Sequence, residues 1–189
     1  MLAVALVLAS AAGWILLRDP STEQGTNVLG LYRERHIPIA SHDDTTEEHV
    51  ESAVQSGVTI SEFPTTLEAA RAARTAGLAT VAGSPNVVRG GSHSGGVAVR
   101  DLFDEGVLDG LSSDYVPAAL LQSVIRLSVD FEISLEKTIG LVTWGVADML
   151  DLRDRGRLAA GLRGDCARFR FAGETPVVRE VYSAGRRVV

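Results

Sequence analysis

Short apolar runs alternate with segments of helical character between residues 28 and 130. Continuous apolar runs of this length are typical of strands in a buried parallel sheet. The segments between them carry helix signals, such as Thr45 and Glu48, which match a capping box. The predicted strands cover residues 37–40, 58–63, 78–82 and 107–111, and the helices that follow them cover residues 46–55, 67–76, 97–105 and 117–129. Because strand, loop and helix repeat four times, the sequence predicts an α/β fold with a parallel sheet covered by helices.

The pattern changes after residue 130. Ser134 is the predicted N-cap of one further helix, which ends at residue 150. Three short β-like runs follow, at residues 168–171, 177–182 and 186–189. We interpret these runs as a small β appendage. The predicted organisation is therefore an apolar segment with a linker over 1–27, four βα units over 28–150 and a β tail over 151–189.

The amino-terminal segment is apolar from residue 1 to residue 17 apart from Ser10, and Arg18 is the first charged residue. A membrane-spanning helix needs roughly 20 apolar residues, and a signal peptide begins with basic residues that this segment lacks. Three interpretations stay open: a membrane anchor, a helix that packs on a missing partner, and a start site assigned out of context. Composition alone favours the anchor, whereas the βα repeat favours the other two.

A glycine-rich stretch over 83–96 follows the third predicted strand and contains five glycines. Glycine lets the backbone turn sharply and brings N–H groups close to a ligand. Arg89 adds a permanent planar cation that suits phosphate oxygens, and His93 adds a group that exchanges a proton near neutral pH. The combination predicts a loop that holds an anionic substrate. A mobile surface loop is the alternative, but it does not account for the apolar pair Val87-Val88 inside the stretch.

Polar residues follow each of the four predicted strands. His42, Glu62, the stretch 86–93 and Asp114 lie at or just beyond the strand ends. The carboxyl ends of parallel strands form the ligand-binding edge in both barrels and doubly wound sheets. We therefore expect these groups to converge on one site.

Charge and cysteine content narrow the classes of function. The chain of 189 residues has a formal net charge of −6, which argues against binding to nucleic acid or to an anionic membrane, since both need a basic face. An anionic ligand would need local cations or a metal ion to offset this charge. The single cysteine, Cys166, cannot form an internal disulfide, so a reducing compartment, the cytoplasm, is expected. Membrane association through residues 1–17 is the alternative location.

Four motifs, in this order along the chain, resemble a known family. They are His42-Asp43-Asp44-Thr45-Thr46, Glu62-Phe63-Pro64-Thr65-Thr66, Ser84-Pro85-Asn86-Val87-Val88-Arg89-Gly90-Gly91-Ser92-His93-Ser94-Gly95 and Leu111-Ser112-Ser113-Asp114-Tyr115. Together they are similar to the diphosphatases of the carbon–phosphorus lyase pathway, within the amidohydrolase superfamily. The resemblance extends from about residue 28 to residue 189.

The resemblance implies a metal-dependent (β/α)8 barrel, of which this chain would carry the carboxyl-terminal half together with a small β appendage. It implies hydrolysis of the 5-triphosphate of a phosphonylated ribose to the 5-phosphate and pyrophosphate. A barrel of this kind takes about 250 residues, and four strands cannot close one. The chain is therefore expected to be a truncated half that is inactive by itself. Its partner would be the missing amino-terminal half or a second copy of the chain.

The resemblance also implies roles for individual residues. His42 would bind the metal, and Asp114 would touch the metal and accept the proton of the attacking water. The implied metal is a divalent ion of the zinc or manganese type. His93 would protonate or hydrogen-bond a leaving oxygen. Phosphate oxygens would be held by Asn86, Arg89, Gly90, Gly91 and Ser92.

Each of these assignments has an alternative. His42 and Asp114 would instead stabilise a turn or cap the helix that follows. Glu62 stands where related enzymes have a histidine, and it is either a metal ligand or a helix cap. Of Asp43 and Asp44, one would orient His42 and the other would serve as a cap.

Three other functions also stay open for the chain as a whole. The first is a non-catalytic phosphosugar-binding or assembly module, in which the arginine binds and no metal is used. The second is an amidohydrolase that acts on C–N bonds. The third is a domain tethered to a membrane by residues 1–17.

Overall fold

The computed structural model of the chain describes residues 2–4, 30, 32, 34–91 and 95–189. These residues fall into two compact units. The first unit contains those among Ala9–Ala82 and Gly91–Leu108, and the second contains those among Met1–Leu8, Gly83–Gly90 and Asp109–Val189. Within the described residues, no helix has both the length and the apolar character that crossing a lipid bilayer requires. Most of the apolar segment over 1–17, for which an anchor stayed open, lies outside the described residues.

Two sheets are present in the described residues. One contains β2 (Ala40–His42), β3 (Ile60–Glu62), β4 (Ala79–Gly83) and β5 (Gly110–Ser112) in that order, and the other contains β1 (Leu2–Val4), β6 (Cys166–Ala172), β7 (Thr175–Ser183) and β8 (Arg186–Arg187). The helices are α1 (Glu47–Gln55), α2 (Leu67–Thr75), α3 (Ser84–Arg89), α4 (Val99–Asp104), α5 (Ala119–Asp130), α6 (Leu135–Gly140) and α7 (Trp144–Met149). β2 pairs with β3 in parallel, and β3 pairs with β4 in parallel. The predicted alternation of parallel strands and helices is confirmed.

The first strand begins later than predicted. We expected residues 37–40, but β2 covers Ala40–His42. Pro38 has no backbone N–H for a sheet ladder, and pairing begins only where Ala40 meets Ile60. This shift places His42 on the strand itself, as its last residue.

The core of the first unit depends on small residues in α2. Ala69, Ala70 and Ala73 are completely buried, and their spacing puts them on one helix face. Ala69 and Ala73 pack with Val50 and Leu78. Because alanine occupies little space, α2 can approach its neighbours closely.

Paired threonines set the starts of α1 and α2. The hydroxyl of Thr46 accepts the N–H of His49, and the hydroxyl of Thr66 accepts the N–H of Ala69. The capping box predicted for Thr45 and Glu48 is therefore wrong by one residue. The Thr45 hydroxyl is engaged elsewhere, since it donates to the Asp43 carbonyl at 3.1 Å and lies 2.8 Å from the Thr65 hydroxyl.

The glycine-rich stretch is less irregular than predicted. Residues 84–89 form the helix α3 directly after β4. Pro85 lies in the first turn, where its missing N–H does no harm, and Gly90 ends the helix with a φ of 84°. The predicted loop is therefore confined to residues after 89, and residues 92–94 lie outside the described part of the chain.

The helix predicted from residue 134 to residue 150 is two helices. Ser134 caps α6 as expected, but residues 141–143 form a turn before α7. In this turn the Leu141 carbonyl accepts the N–H of Leu111 in β5 at 2.8 Å. A Cβ on Gly145 would lie 2.5 Å from the Asp109 carbonyl oxygen. The close approach to β5 and the bond to Leu111 account for the break.

The second sheet is antiparallel and contains the three predicted β runs. A buried carboxylate, Asp165, holds the segment before β6 against the turn between β7 and β8. One Asp165 oxygen accepts the Ala184 N–H at 2.7 Å and the Arg163 Nε–H at 3.0 Å. β1 pairs with β6 along Leu2–Val4.

Candidate active site

The site residues of the first unit lie at the carboxyl edge of the parallel sheet. His42 ends β2 and Glu62 ends β3, and the two are direct register partners across the strand pair. The ladder continues one step further, since Asp43 N–H donates to the Glu62 carbonyl at 3.0 Å. An imidazole and a carboxylate residue are therefore neighbours at the edge where ligands bind in parallel α/β folds.

The His42 ring is held by two contacts. Its Nδ1 lies 2.9 Å from an Asp43 carboxylate oxygen, and the ring meets Phe63 edge-on with centroids 5.2 Å apart. A carboxylate at this distance favours a hydrogen on Nδ1, which would leave Nε2 as the nitrogen that can bind a metal ion. A histidine that donates one nitrogen to a carboxylate is typical of metal ligands.

Asp44, the next residue, has a structural role. It is buried, and one carboxylate oxygen accepts the hydroxyls of Ser41 at 2.5 Å and Ser61 at 2.6 Å. Ser41 belongs to β2 and Ser61 to β3, so the carboxylate joins the two strands. Of the two aspartates, Asp43 is therefore the one that orients His42. Neither caps α1, because Thr46 does so.

Three strand ends share an unusual backbone conformation. Asp43, Phe63 and Asp114 have φ values of 60°, 57° and 50°. A non-glycine residue in this left-handed region costs about 1 kcal/mol, and more for a bulky side chain. His36, Glu132, Asp151 and Ala184 also have positive φ, so this conformation does not by itself identify a functional site.

The capping alternatives are wrong. The α2 cap is Thr66 rather than Glu62. The N-cap of α5 is Ala118, which makes no side-chain capping bond, so Asp114 does not cap that helix. Asp114 is exposed, and its carboxylate has no hydrogen-bond or ion-pair partner among the described residues. Helix capping therefore does not account for Glu62 or Asp114.

In the second unit, Arg89 lies at the end of α3 and contacts Tyr115. The guanidinium donates to the Tyr115 hydroxyl at 2.7 Å and lies 5.9 Å from the ring centroid. Asn86 is half-buried on the same helix. The Gly90 N–H already donates to the Val87 carbonyl at 3.1 Å, so this predicted phosphate donor is used within the helix end.

Three further residues of the glycine-rich stretch are predicted to contact the substrate, and the structure describes one of them. Gly91 is described and has open space around its Cα, whereas Ser92 and His93 lie outside the described residues. The sequence interpretation missed the contact of Tyr115 with Arg89. The only available signal was that Tyr115 directly follows Asp114.

A metal-ligand set is not complete in the part of the chain that the structure describes. No group of three His, Cys, Asp or Glu residues there is arranged to hold a metal ion. His42 with Asp43 has the chemistry of one ligand and its supporting carboxylate, but one ligand does not make a site. The convergence of His42, Arg89 and Asp114 stays a prediction.

Comparison with known proteins gives one curated relative and several structural neighbours. No protein-family model matches the chain. The chain is 43% identical over 183 residues to the α-D-ribose 1-methylphosphonate 5-triphosphate diphosphatase of Escherichia coli K12. The aligned region covers 96% of this chain and 47% of that relative. The chain thus spans about half the length of this protein. The resemblance inferred from the four motifs is confirmed.

Two solved structures illustrate the shared fold. An amidohydrolase from Thermotoga maritima superposes with a TM-score of 0.66 at 19% identity, over 89% of this chain and 48% of that one. A metal-dependent hydrolase from Pyrococcus furiosus superposes with a TM-score of 0.55 at 17% identity, over 73% of this chain and 34% of that one. At these identities the likeness shows the fold alone: the chain has the fold of part of an amidohydrolase.

Proposed function

We propose that this chain carries part of the active site of a diphosphatase in phosphonate catabolism. Its substrate would be α-D-ribose 1-methylphosphonate 5-triphosphate, cleaved to the 5-phosphate and pyrophosphate. The observation that carries the proposal is the 43% identity over nearly the whole chain to the E. coli diphosphatase. The presence of His42 and Asp114 at strand ends, with no capping role, supports it.

The chemistry assigned to the chain's own residues is as follows. The Asp114 carboxylate accepts the proton of the attacking water. Arg89 holds phosphate oxygens as a planar cation, and His93 supplies a proton to the leaving oxygen. His42, with Nδ1 engaged by Asp43, offers Nε2 as one ligand to a divalent ion of the zinc or manganese type. When bound, such an ion would lower the pKa of water and offset phosphate charge.

We further propose that the chain needs additional strands for activity. Its parallel sheet has four strands in the described residues, whereas a barrel of this class has eight. The completing strands would come from a polypeptide that corresponds to the rest of the E. coli relative, or from a second copy.

The test measures hydrolysis of the ribose triphosphate by 31P NMR. The chain is assayed alone and with a polypeptide that carries the remaining part of the relative, each with added Mn2+ or Zn2+. We expect pyrophosphate release by the combination, with a loss of at least 100-fold in His42→Ala and Asp114→Ala. Arg153→Ala is the control, since Arg153 is exposed and pairs with Asp151. Absence of pyrophosphate with every combination, or equal rates in Asp114→Ala and the wild type, contradicts the proposal.

A phosphosugar-binding module without a metal is the second candidate. The exposed guanidinium of Arg89, whose partner is the neutral phenol of Tyr115, is the observation that favours it. It predicts that the ribose triphosphate binds without divalent ions and is never cleaved. Calorimetry in the presence of a chelator, beside the NMR assay, separates the two functions.

A further inference from the structure

Arg89 is an exposed cation whose contact is not an acidic side chain. Several other arginines pair with carboxylates, among them Arg71, Arg100, Arg126, Arg153, Arg157 and Arg163. Arg89 has no carboxylate partner among the described residues, and its contact is the neutral phenol of Tyr115. On a chain with a formal charge of −6, the charge of this guanidinium is available to an external anion.

Tyr115 contacts the Arg89 guanidinium but accepts only one of its N–H donors. One N–H of Arg89 donates to the Tyr115 oxygen at 2.7 Å, with the guanidinium carbon 5.9 Å from the ring centroid. Guanidinium has five N–H donors in a planar fork, so about four stay available. An exposed arginine side chain normally samples many rotamers, and this contact limits that freedom before a ligand arrives.

Tyr115 also retains a donor of its own. Its oxygen acts as acceptor towards Arg89, so the phenolic O–H points elsewhere, and no described residue accepts it. Tyr115 is 62% exposed, so the phenolic hydrogen is accessible to solvent. The pair thus presents a planar cationic fork and one neutral O–H donor from residues that the contact holds together.

We propose that Arg89 and Tyr115 form a subsite for a phosphate group of a polyphosphate chain. The fork binds two oxygens of one phosphate, and the phenol donates to a third oxygen or to the next phosphate. Bidentate binding to phosphate is the geometry that guanidinium favours. The proposal rests on the proposed function for the identity of the substrate and adds Tyr115 as a residue that positions Arg89 and contacts the ligand.

The test is calorimetric titration of the full chain with inorganic tripolyphosphate. The buffer contains a chelator and about 0.15 M salt, which screens distant charges. We expect Tyr115→Phe to weaken binding about tenfold, the effect of losing one hydrogen bond to a charged group. Arg89→Lys keeps the charge but loses the fork, and it should weaken binding by at least the same factor. Arg153→Ala removes an exposed arginine that is paired with Asp151, and it should bind tripolyphosphate as the wild type does.

The controls separate this subsite from general electrostatic attraction. Circular dichroism melting of each variant verifies that it is folded, and a melt unchanged from wild type is required of Tyr115→Phe. If Tyr115→Phe binds tripolyphosphate as tightly as the wild type, or if Arg153→Ala weakens binding as much as Arg89→Lys, the subsite is wrong. The same holds if the wild type does not bind. If binding depends on Arg89 and Tyr115 while no combination hydrolyses the ribose triphosphate, the subsite stands and the diphosphatase proposal falls.

Discussion

Replacing Asp44 by alanine removes the carboxylate that joins the ends of β2 and β3. This carboxylate is 5% exposed and accepts hydroxyls from Ser41 and Ser61. Hydrogen bonds to an ionised group are stronger than neutral ones. The variant therefore loses two charge-assisted bonds at the strand ends that position His42.

The size of the effect follows from what the substitution leaves behind. Ser61 is completely buried, so its hydroxyl would be left unsatisfied at a cost of about 1–3 kcal/mol. Ser41 is only half-buried, and the loss of its hydrogen bond to Asp44 adds about 1 kcal/mol. We expect the free energy of unfolding to fall by about 2–4 kcal/mol, out of the roughly 5–15 kcal/mol typical of a domain.

Urea unfolding followed by circular dichroism measures this change. With a slope of about 2 kcal/mol per molar urea, the midpoint should fall by about 1–2 M. Ser61→Ala is a milder variant that removes one donor and should cost about 1 kcal/mol. It keeps the test informative if Asp44→Ala does not fold.

Asp43→Asn is the control at the neighbouring position. The Asp43 side chain is 62% exposed, and asparagine tolerates the left-handed backbone of this residue as aspartate does. The free energy of unfolding should therefore change by less than about 0.5 kcal/mol. A loss of less than about 0.5 kcal/mol in Asp44→Ala would refute the structural role assigned to the Asp44 carboxylate. So would an equal loss in Asp43→Asn and Asp44→Ala.

Two further substitutions test local features of the fold. Gly164→Ala places a Cβ 2.9 Å from the Gly185 nitrogen, and this clash should lower the free energy of unfolding by about 1–3 kcal/mol. Gly91→Ala is the control, because a Cβ there meets nothing within 4 Å. Equal melting temperatures of the two variants would contradict the close packing of Gly164 against Gly185. Thr46→Ala removes the α1 cap and should cost about 1 kcal/mol. The Thr46 hydrogen bond is also the main cause that lowers the pKa of Glu48, so the native state gains stability from this carboxylate above its unfolded pKa and loses it as the pH falls through the lowered value. In Thr46→Ala, NMR titration should show the pKa of Glu48 rising towards its ordinary value, and an unchanged pKa would contradict this assignment.

Much of the fold is predictable because local signals and tertiary contacts agree. The glycines that end α1 and α2, and the apolar runs before each turn, gave the order of strands and helices. The errors occur where tertiary contacts decide. The break at residues 141–143 depends on the bond between the Leu141 carbonyl and Leu111 of β5, which lie 30 residues apart in sequence. No local pattern reports such a contact.

The candidate site is predictable in position more than in detail. Strand ends in a parallel sheet identify His42 and Asp114 as candidates from the sequence alone. Asp43 contacts His42, whereas Asp44 joins β2 to β3, and this difference depends on the Ser61 hydroxyl of the next strand. The contact of Arg89 with Tyr115 likewise joins residues 26 positions apart. Sequence places such groups near one edge, but only the structure shows which pairs meet.

We propose that His42 acts as a metal ligand at the carboxyl edge of the sheet. Side-chain 15N NMR of the histidines tests it directly, with His49 on α1 as an exposed internal control. We expect His42 to carry its hydrogen on Nδ1, and we expect added Zn2+ to shift the His42 Nε2 signal more than either nitrogen signal of His49. A hydrogen on Nε2 of His42, or equal shifts at the two histidines, would contradict it.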